Sequence, residues 1–553
     1  MLLLIGIDGA TPELIERLTS TGEMPVLRSL MRHGVYGRLE SSVNHDPCSA
    51  WSSVLTGVNP GKHGVWSLRN MVPESYQWRM ANSRMLRAPT LPQLLTEFGQ
   101  QAGTLFVPMT FPARDAEWTT VSGWLAPSVE AEGFAHPESV ASLARRRLKN
   151  VQQDLRLGSY VASGRYADAI GLAIEAVRAR TELALDLLDH ARWDFLAVNF
   201  SELDRAMRWC WHLIDRKHGD FREDLYTAHA KLISALHHEL DAQIGRLVAA
   251  LEPDDHLIVM SAHGTGINSR AQLCLPEWLA HLDLLSYRSS AGGFWRSIRN
   301  GFDAGINATF RFLGRILPGP LAGMIPEPWE AAAAEESDSW IDYERSFLIP
   351  TAGGDLYLNH EDSFPAGTVS NGNSDRLMLD VMAKLQSAID PATGARPLEW
   401  VKPRERVCSG PFVNRLPHIV TRWDQTRMVM GLTATGGDGR VKVARPPAGR
   451  VPSGSPSPLG IFIAAGGGLQ RGARIEGAKV EDVAATVLYL RGERVPSYFD
   501  GAVLKQAMTE TMLQHVPVRI LQRDLPRVLE SPERIEAASE AVASHLWALE
   551  HEL

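Results

Sequence analysis

The side chains best suited to acid–base or metal chemistry come soon after short apolar segments. Asp8 follows the apolar run at residues 1–7, Asp204 comes shortly after "FLAVNF", and His263 follows "HLIVMSA". Carboxylates and imidazoles exchange protons and bind divalent cations. Arg208, four residues after Asp204, adds a permanent charge whose planar donors suit a phosphate, sulfate or carboxylate. These four residues are therefore candidate catalytic residues, and Arg208 is also a candidate substrate-binding residue.

A second group of reactive side chains lies in "NHDPCSAWSSVLTGVNPGKHG", residues 44–64. Cys48 and Ser49 are candidate nucleophiles, because the N-terminus of a helix beginning here would favour an anion and lower the pKa of a thiol. Simple packing of Cys48 is the alternative. His45 and Asp46 are candidates for substrate binding or proton transfer if they face the site. A solvent-facing loop pair is the alternative for these two residues.

Strands and helices alternate in the segments that carry these residues. Residues 1–7 predict a buried strand, and Thr11 and Pro12 mark the N-cap and the first position of a following helix. Residues 193–215 and 255–266 repeat the pattern of an apolar strand followed by polar residues. In an open α/β sheet, ligands bind at the carboxyl ends of the strands. The sequence therefore predicts that the polar residues after these strands meet at one edge.

The length of 553 residues predicts one large α/β core with insertions. Helical spacing rich in Arg and Ala marks one insertion, and an amphipathic segment rich in basic and aromatic residues marks another. A membrane-surface helix is the alternative for the second, but its Gly and Pro residues favour a helical cap. The predicted divisions are the first half of the core 1–129, a helical cap 130–191, the middle of the core 192–283, an amphipathic cap 284–345, the second half of the core 346–506 and a helical C-terminal tail 507–553.

The overall composition limits the partners and the compartment. A formal net charge of -8 argues against nucleic acid as a partner, because proteins that bind it usually carry a basic surface. The cysteines Cys48, Cys210, Cys274 and Cys408 form no CxxC pair, so neither a disulfide framework nor a structural zinc site is indicated. The first apolar run is too short for a secretory signal, and no later run is long enough to span a bilayer. We therefore expect a cytoplasmic protein with a small or neutral partner.

Eight segments, in order along residues 1–505, resemble the type I phosphodiesterase/nucleotide pyrophosphatase branch of the alkaline phosphatase superfamily. They are "GIDGATPELI", "AWSSVLTGVNPGKHGV", "VPMTFPARDAEWTTVSGWLAPS", "LDRAMRWCWHLID", "SAHGTG", "GGDLYLNHEDSFPAGTV", "GIFIAAGGGL" and "YLRGERVPSYFDGAVL". The resemblance implies an alkaline-phosphatase-like three-layer α/β sandwich with a mostly parallel central sheet and helical cap insertions. It also implies two metal ions, commonly zinc, and a threonine or serine nucleophile. Such a pair of ions activates the nucleophile and stabilises the leaving oxygen.

Three positions of the site implied by the resemblance are kept in this sequence. Asp8 stands after the first strand, Asp204 on the helix after a later strand, and His263 after the strand that follows. The resemblance makes these three residues the residual candidates for metal ligands. They are fewer than two zinc sites need. We therefore expect no resident metal, with weak binding of zinc or another divalent ion as the alternative.

Four other positions of the implied site are replaced. Pro47 stands where the family has its nucleophile, and proline has no nucleophilic atom. Arg208 and Ala262 stand where the family has a histidine and an aspartate, and "SGSPSPLG" lacks the family's late histidine. A guanidinium between Asp8 and Asp204 would compensate for the lost metal charge and could bind an anion. A salt bridge that only preserves the fold is the alternative.

These observations leave three functions open. The favoured one is an enzyme of altered, metal-independent chemistry, a transferase, lyase or hydrolase acting on an anionic or phosphate-bearing small molecule. Arg208 would then hold the anion, and His263 would act as the acid or base. The second is a catalytically inactive relative that binds a ligand or a protein partner through the same site. The third is a metal-dependent phosphodiesterase or phosphatase with a reduced site.

Overall fold

The computed structural model of the chain describes residues 1–114, 117–149, 151, 157–288, 340–436, 438–446, 451–526, 528 and 530–551. The strands are β1 (Leu2–Ile7), β2 (Val35–Glu40), β3 (Arg69–Met71), β4 (Trp78–Met80), β5 (Ala102–Val107), β6 (Thr119–Ser122), β7 (Ala135–His136), β8 (Phe195–Phe200), β9 (His256–Met260), β10 (Gly264–Ile267), β11 (Leu348–Pro350), β12 (Leu356–Leu358), β13 (Leu398–Pro403), β14 (Ile419–Trp423), β15 (Leu432–Thr435), β16 (Val441–Ala444), β17 (Gly454–Ser457), β18 (Leu459–Ala465), β19 (Ala473–Lys479), β20 (Val495–Pro496) and β21 (Ile520–Leu521). The helices are α1 (Pro12–Thr21), α2 (Pro25–His33), α3 (Pro47–Thr56), α4 (Pro60–His63), α5 (Leu91–Glu97), α6 (Glu138–Leu148), α7 (Leu157–Ala162), α8 (Tyr166–His190), α9 (Glu202–Cys210), α10 (Glu223–Ala249), α11 (Ala271–His281), α12 (Asn371–Ser387), α13 (Val480–Leu490), α14 (Glu510–His515) and α15 (Pro532–His551).

A nine-stranded mixed sheet forms the centre of the fold, in the order β19-β2-β18-β9-β1-β8-β5-β6-β7. β1 pairs in parallel with β8 and β9, and β5 pairs in parallel with β8 and β6. Every residue of β1, β5 and β8 is buried, as the continuous apolar run "LLLIGI" predicts for a strand covered on both faces. β18 runs antiparallel to both β2 and β9, so the sheet is mostly but not wholly parallel.

Helices cover the central sheet in two groups. In one group α10 packs against α8 and α2, and in the other α13 packs against α3. A single large hydrophobic cluster joins these helices to the strands of the sheet. The prediction of a three-layer α/β sandwich with a mostly parallel central sheet is therefore confirmed.

The segments that carry the candidate residues have the predicted form. α1 begins at Pro12 after β1, α9 follows β8 directly, and β9 leads to His263. Thr11 is the N-cap residue of α1, but its side chain makes no capping hydrogen bond to that helix. Its Oγ1 donates instead to the carbonyl oxygen of Thr265 at 2.8 Å. This bond ties the start of α1 to the segment just after His263.

A smaller four-stranded sheet, in the order β11-β12-β14-β13, lies outside the central sheet. It shares a separate hydrophobic cluster with α11, α12 and the hairpin of β15 and β16. Its strands fall within residues 346–506, which the sequence assigns to the second half of the core. The chain therefore builds a second sheet in this segment before β18 returns it to the central one.

The two predicted insertions and the tail differ in how far they are described. Helices α6, α7 and α8 all lie in the predicted helical cap 130–191, and α8 packs along α10. Most of the predicted amphipathic cap 284–345 lies outside the described residues. The tail contains α14, β21 and α15. Within the described ranges, no helix is both long and apolar enough to cross a membrane.

Candidate functional site

The candidate residues meet where the carboxyl ends of β1, β8 and β9 face the N-terminus of α3. The charges of His263 and Asp204 both act on the pKa of Asp8, and the charge of Arg208 acts on the pKa values of Asp46 and Cys48. The structure therefore brings the residues predicted from separate strands into one electrostatic group. This follows from the parallel pairing of β1 with both β8 and β9, which aligns their carboxyl ends.

Asp46 is the N-cap residue of α3, and its carboxylate is engaged by the backbone. Its Oδ1 accepts hydrogen bonds from the backbone N–H groups of Cys48 at 2.8 Å and Ser49 at 3.4 Å, and its Oδ2 accepts from Leu68 at 3.3 Å. Burial raises the pKa of the Asp46 carboxyl, while these bonds and the charge of Arg208 act in the opposite direction. The capping role has a signal in the sequence, since Asp followed by Pro at the first helical position is typical of a helix start.

Cys48 and Ser49 are both buried within the first turn of α3. Burial, and next the nearby carboxylate of Asp46, raises the pKa of the Cys48 thiol well above its usual value. A thiol held in its protonated form is a weak nucleophile. The Oγ of Ser49 has no hydrogen-bond partner among the residues that the structure describes.

Asp8 lies buried at the end of β1 and is bonded on both oxygens. Trp51 donates from Nε1 to Oδ1 at 2.8 Å, and Asn199 donates from Nδ2 to Oδ2 at 2.9 Å. Burial raises the pKa of Asp8, while the charge of His263 and these two hydrogen bonds act in the opposite direction. Neither donor is among the site residues predicted from the sequence. The signal for Asn199 was a polar residue inside the otherwise apolar strand "FLAVNF".

Arg208 pairs with Asp204 one turn away on α9. Its Nε lies 3.3 Å from Asp204 Oδ2, and the side chain of Arg208 is 23% exposed. The Oδ1 of Asp204 is buried and has no hydrogen-bond partner within the described ranges. The sequence predicts the Arg208 guanidinium between Asp8 and Asp204. In the structure the guanidinium pairs with Asp204, while Asp8 is held by Trp51 and Asn199 instead.

His263 is a buried imidazole and His45 a half-buried one, and each has a buried ring nitrogen with no hydrogen-bond partner among the described residues. His263 Nδ1 lies 3.0 Å from the carbonyl oxygen of Gly264. Because a carbonyl oxygen only accepts, Nδ1 carries a proton, so Nε2 is the ring nitrogen that can accept a proton or a hydrogen bond. Neither His263 Nε2 nor His45 Nδ1 has a partner in the part of the chain that is described. Burial, the charge of Arg422 and that of His263 lower the pKa of His45 to about 3, so this ring is neutral at pH 7.

Arg422 adds a cation that the sequence analysis did not identify. It lies on β14 of the smaller sheet, and one of its NH2 groups donates to the carbonyl oxygen of Val43 at 3.2 Å. Its guanidinium carbon lies 4.9 Å from the centre of the Trp400 ring. Arg422 lies between buried residues on β14, and no local pattern in the sequence places it near His45.

The donors at this site do not fit the two metal ions that the family resemblance implies. Both oxygens of Asp8 accept hydrogen bonds from neutral groups, and Asp204 is paired with a guanidinium. The described residues contain no group of three or more His, Cys, Asp or Glu side chains arranged to hold a metal ion. A structural or catalytic zinc ion usually takes three or four protein ligands. We therefore assign no step to a bound metal.

The family is shown by the comparison of this sequence with protein-family models. The model described as type I phosphodiesterase/nucleotide pyrophosphatase matches residues 2–317, which is more than half of the chain. The chain therefore belongs to this family. None of the curated proteins matches the sequence.

Solved structures with similar folds include a hydrolase and two phosphodiesterase relatives. Phosphonoacetate hydrolase from Sinorhizobium meliloti 1021 is 14% identical, with 88% of this chain and 95% of that chain covered and a TM-score of 0.48. Murine ectonucleotide pyrophosphatase/phosphodiesterase 5 is 11% identical, with 93% and 99% covered and a TM-score of 0.44. The human protein of the same name is 11% identical, with the same coverage and a TM-score of 0.45.

Proposed function

We propose that this family member is an enzyme of altered, metal-independent chemistry that acts on a small anionic, phosphate-bearing molecule. The observation that carries the proposal is that a partly exposed guanidinium, Arg208, pairs with Asp204, while Asp204 and the buried imidazole of His263 both act on Asp8. His263 Nε2 has no hydrogen-bond partner among the described residues. Buried polar groups in folded proteins normally have partners. A bound substrate or water would supply the partner that these groups lack.

Arg208 is the proposed anion-binding residue. Its Nε donates to Asp204 Oδ2, and within the described part of the chain its two NH2 groups have no hydrogen-bond partner, so they are proposed to bind a pair of phosphate oxygens. The N-terminus of α3 contributes less, because the Asp46 carboxylate already accepts from its first free backbone N–H groups. The positive charge on the substrate side of the site is therefore proposed to come from Arg208, with the Arg422 cation near the neutral ring of His45.

His263 is the proposed general base. Its Nδ1 donates to the carbonyl of Gly264, which fixes the tautomer with Nε2 as the proton acceptor. In the proposed reaction Nε2 takes a proton from water or from a substrate hydroxyl as the new bond to the substrate forms. The same nitrogen then returns the proton to the leaving group, as general acid–base catalysis requires. This scheme needs neither a nucleophilic side chain at position 47 nor a thiolate at Cys48.

Ligand binding without turnover is the second candidate function. It is favoured by Pro47, which has no nucleophilic atom, and by the engagement of Asp46 and Asp8 in structural hydrogen bonds. Both candidates use Arg208 in the same way and differ only in the role of His263. The proposed compartment is the cytoplasm, supported by four cysteines that are all free and buried.

The test is a turnover assay on an aryl phosphodiester and an aryl phosphomonoester, with and without a chelator. We expect release of nitrophenol that the chelator does not change and that His263→Gln lowers by about a hundredfold or more. Arg208→Gln is expected to raise KM, whereas Arg216→Gln, a matched change at an exposed arginine paired with Glu223, leaves the kinetics unchanged.

Two outcomes would contradict the proposed enzyme. Thermal stabilisation by the substrate analogues without any turnover would favour the binding function. Turnover that disappears with the chelator and returns with zinc would instead favour a metal-dependent phosphodiesterase or phosphatase with a reduced site.

A further inference from the structure

The C-terminal segment is anchored over a turn that is rich in arginine. The backbone N–H of Met80 donates to Ser539 Oγ at 2.8 Å, and Asn82 Nδ2 donates to the carbonyl of Ile535 at 3.4 Å. Ile535 and Val542 on α15 are buried, so apolar packing accompanies these polar bonds. The segment therefore covers residues 80–84 through contacts more than four hundred residues apart in sequence.

Three arginines, Arg84, Arg87 and Arg114, lie beneath this segment, and we name them the arginine cluster. Arg84 pairs with Glu530 at 3.1 Å, and the side chain of Glu530 is only 10% exposed. Arg87 donates to the carbonyl oxygen of Val528 at 3.4 Å, and Arg114 donates to the carbonyl oxygen of Ser83 at 2.9 Å. Among the residues that the structure describes, neither Arg87 nor Arg114 has a carboxylate within ion-pair distance.

The charges of the arginine cluster converge on Glu530. Burial lowers the pKa values of Arg87 and Arg114, and in both cases the carboxylate of Glu530 acts in the opposite direction. Burial by itself would raise the pKa of Glu530, but its bond to Arg84 and the charges of Arg84, Arg114 and Arg534 outweigh this and lower it. One carboxylate therefore faces three guanidinium groups, which leaves the cluster short of negative charge.

We propose that the arginine cluster is a second anion-binding site, separate from Arg208 and His263, and that Glu530 occupies it as an internal anion. The ligand class is a dianionic phosphate group, either inorganic phosphate or a phosphomonoester. Such a group offers more negative charge than one carboxylate and three oxygens that can each accept from a guanidinium. Its binding displaces Glu530, and the loss of that contact loosens the docking of α15.

Phosphate binding to the Arg208→Gln protein is the test, because this change removes the proposed catalytic anion site and so separates the two proposals. Calorimetry with inorganic phosphate is expected to show binding that becomes about tenfold tighter with the additional change Glu530→Gln, since the internal competitor is then lost. The additional change Arg114→Gln is expected to weaken binding. Glu533→Gln, at an exposed glutamate in the first turn of α15, is the matched control and leaves the affinity unchanged.

Hydrogen exchange in the otherwise unchanged Arg208→Gln protein provides a measurement that does not depend on the folding of further variants. Saturating phosphate is expected to speed amide exchange at residues 532–544 and to leave α8 unchanged. Equal phosphate affinity with and without the additional change Glu530→Gln would overturn the proposal. Unchanged exchange in α15 at saturating phosphate would also overturn it.

Discussion

Two of the ion pairs on helix α9 differ in their burial and in what they hold together. Glu202 and Arg180 lie 2.9 Å apart with side chains 0% and 3% exposed, and they join α9 to α8. Asp204 and Arg208 lie 3.3 Å apart within α9, with side chains 7% and 23% exposed. Glu202 and Asp204 are only two positions apart on α9. The pair of Glu202 is nevertheless closed to ligands, whereas the pair of Asp204 borders the candidate site.

The difference shows how one helix serves both the fold and the site. Removing two charges from water costs several kcal/mol per ion, so a buried pair persists only while both partners are present. Arg180 is further held by the ring of Phe106, whose centre lies 4.6 Å from the guanidinium carbon. A partly exposed pair contributes little to stability, and its cation can turn to a ligand at small cost.

Breaking the buried pair is expected to have the largest effect on stability. Glu202→Ala leaves the buried Arg180 without its counter-charge and should lower the free energy of unfolding by about 3–5 kcal/mol. Urea denaturation measures this change. The double variant Arg180→Met with Glu202→Leu should recover most of the loss, because it removes both charges and keeps apolar volume. A loss below about 1 kcal/mol in the single variant would contradict this account of the pair.

A buried carboxylate with no ion-pair partner among the described residues sharpens the comparison. Asp355 is buried and accepts hydrogen bonds from Trp66 Nε1 at 2.9 Å and from the backbone N–H of Thr421 at 2.9 Å. Burial raises its pKa from 3.8 to about 6, with these bonds acting in the opposite direction. The folded state therefore holds the proton more tightly than the unfolded state does. The resulting stabilisation is present below pH 4 and is lost as the pH rises through about 6.

The pH dependence from Asp355 is expected to be the second largest effect. A pKa shift of this size corresponds to about 3 kcal/mol. Urea denaturation between pH 4 and pH 7 should give a smaller decline of the unfolding free energy in Asp355→Asn than in the unchanged protein. Comparing the slopes of the two proteins allows for any constant loss that the substitution itself causes. Equal slopes of unfolding free energy against pH in the two proteins would exclude Asp355 as the source of this pH dependence.

Breaking the partly exposed pair is expected to have the smallest effect on stability. Arg208→Gln should change the free energy of unfolding by no more than about 1 kcal/mol. The same substitution should abolish the stabilisation by a substrate analogue, which amounts to about 2.7 kcal/mol in the unchanged protein at a hundred times its Kd. Thermal unfolding with and without the analogue measures both quantities. If Arg208→Gln caused a large loss of stability in the absence of the analogue, the Asp204–Arg208 pair would be structural, like the pair of Glu202 and Arg180.

Much of the fold could be predicted from the sequence because its signals are local. The apolar run of β1 and the Pro12 start of α1 are read directly from neighbouring residues, and both elements form as predicted. The convergence of Asp8, Asp204 and His263 followed from the rule that parallel strands share one ligand-binding edge. The site roles of these residues stay predictions, because their positions alone do not show a reaction.

The parts that could not be predicted depend on contacts between distant segments. Trp51 reaches Asp8 from another helix, and Arg422 reaches the Val43 carbonyl from a different sheet, so neither contact has a signal in the nearby sequence. The shortage of negative charge in the arginine cluster is likewise not visible in the sequence. It becomes evident only in the fold, where Glu530 lies beside the three arginines. The Asp46 cap is different, because its Asp-Pro pattern is visible in the sequence. Asp46 was nevertheless predicted as a residue for substrate binding or proton transfer and not as a helix cap.

The two hydrogen bonds to Asp8 also limit how this site can evolve. An Asp8 already satisfied by Trp51 and Asn199 gains little from a single new ligand elsewhere. Replacing Arg208 alone would leave Asp204 unpaired before any complete ligand set existed to compensate for it. A substitution of Arg208 made on its own thus costs stability without completing a set of metal ligands. A metal site built around Asp8 and Asp204 would therefore require several substitutions made together.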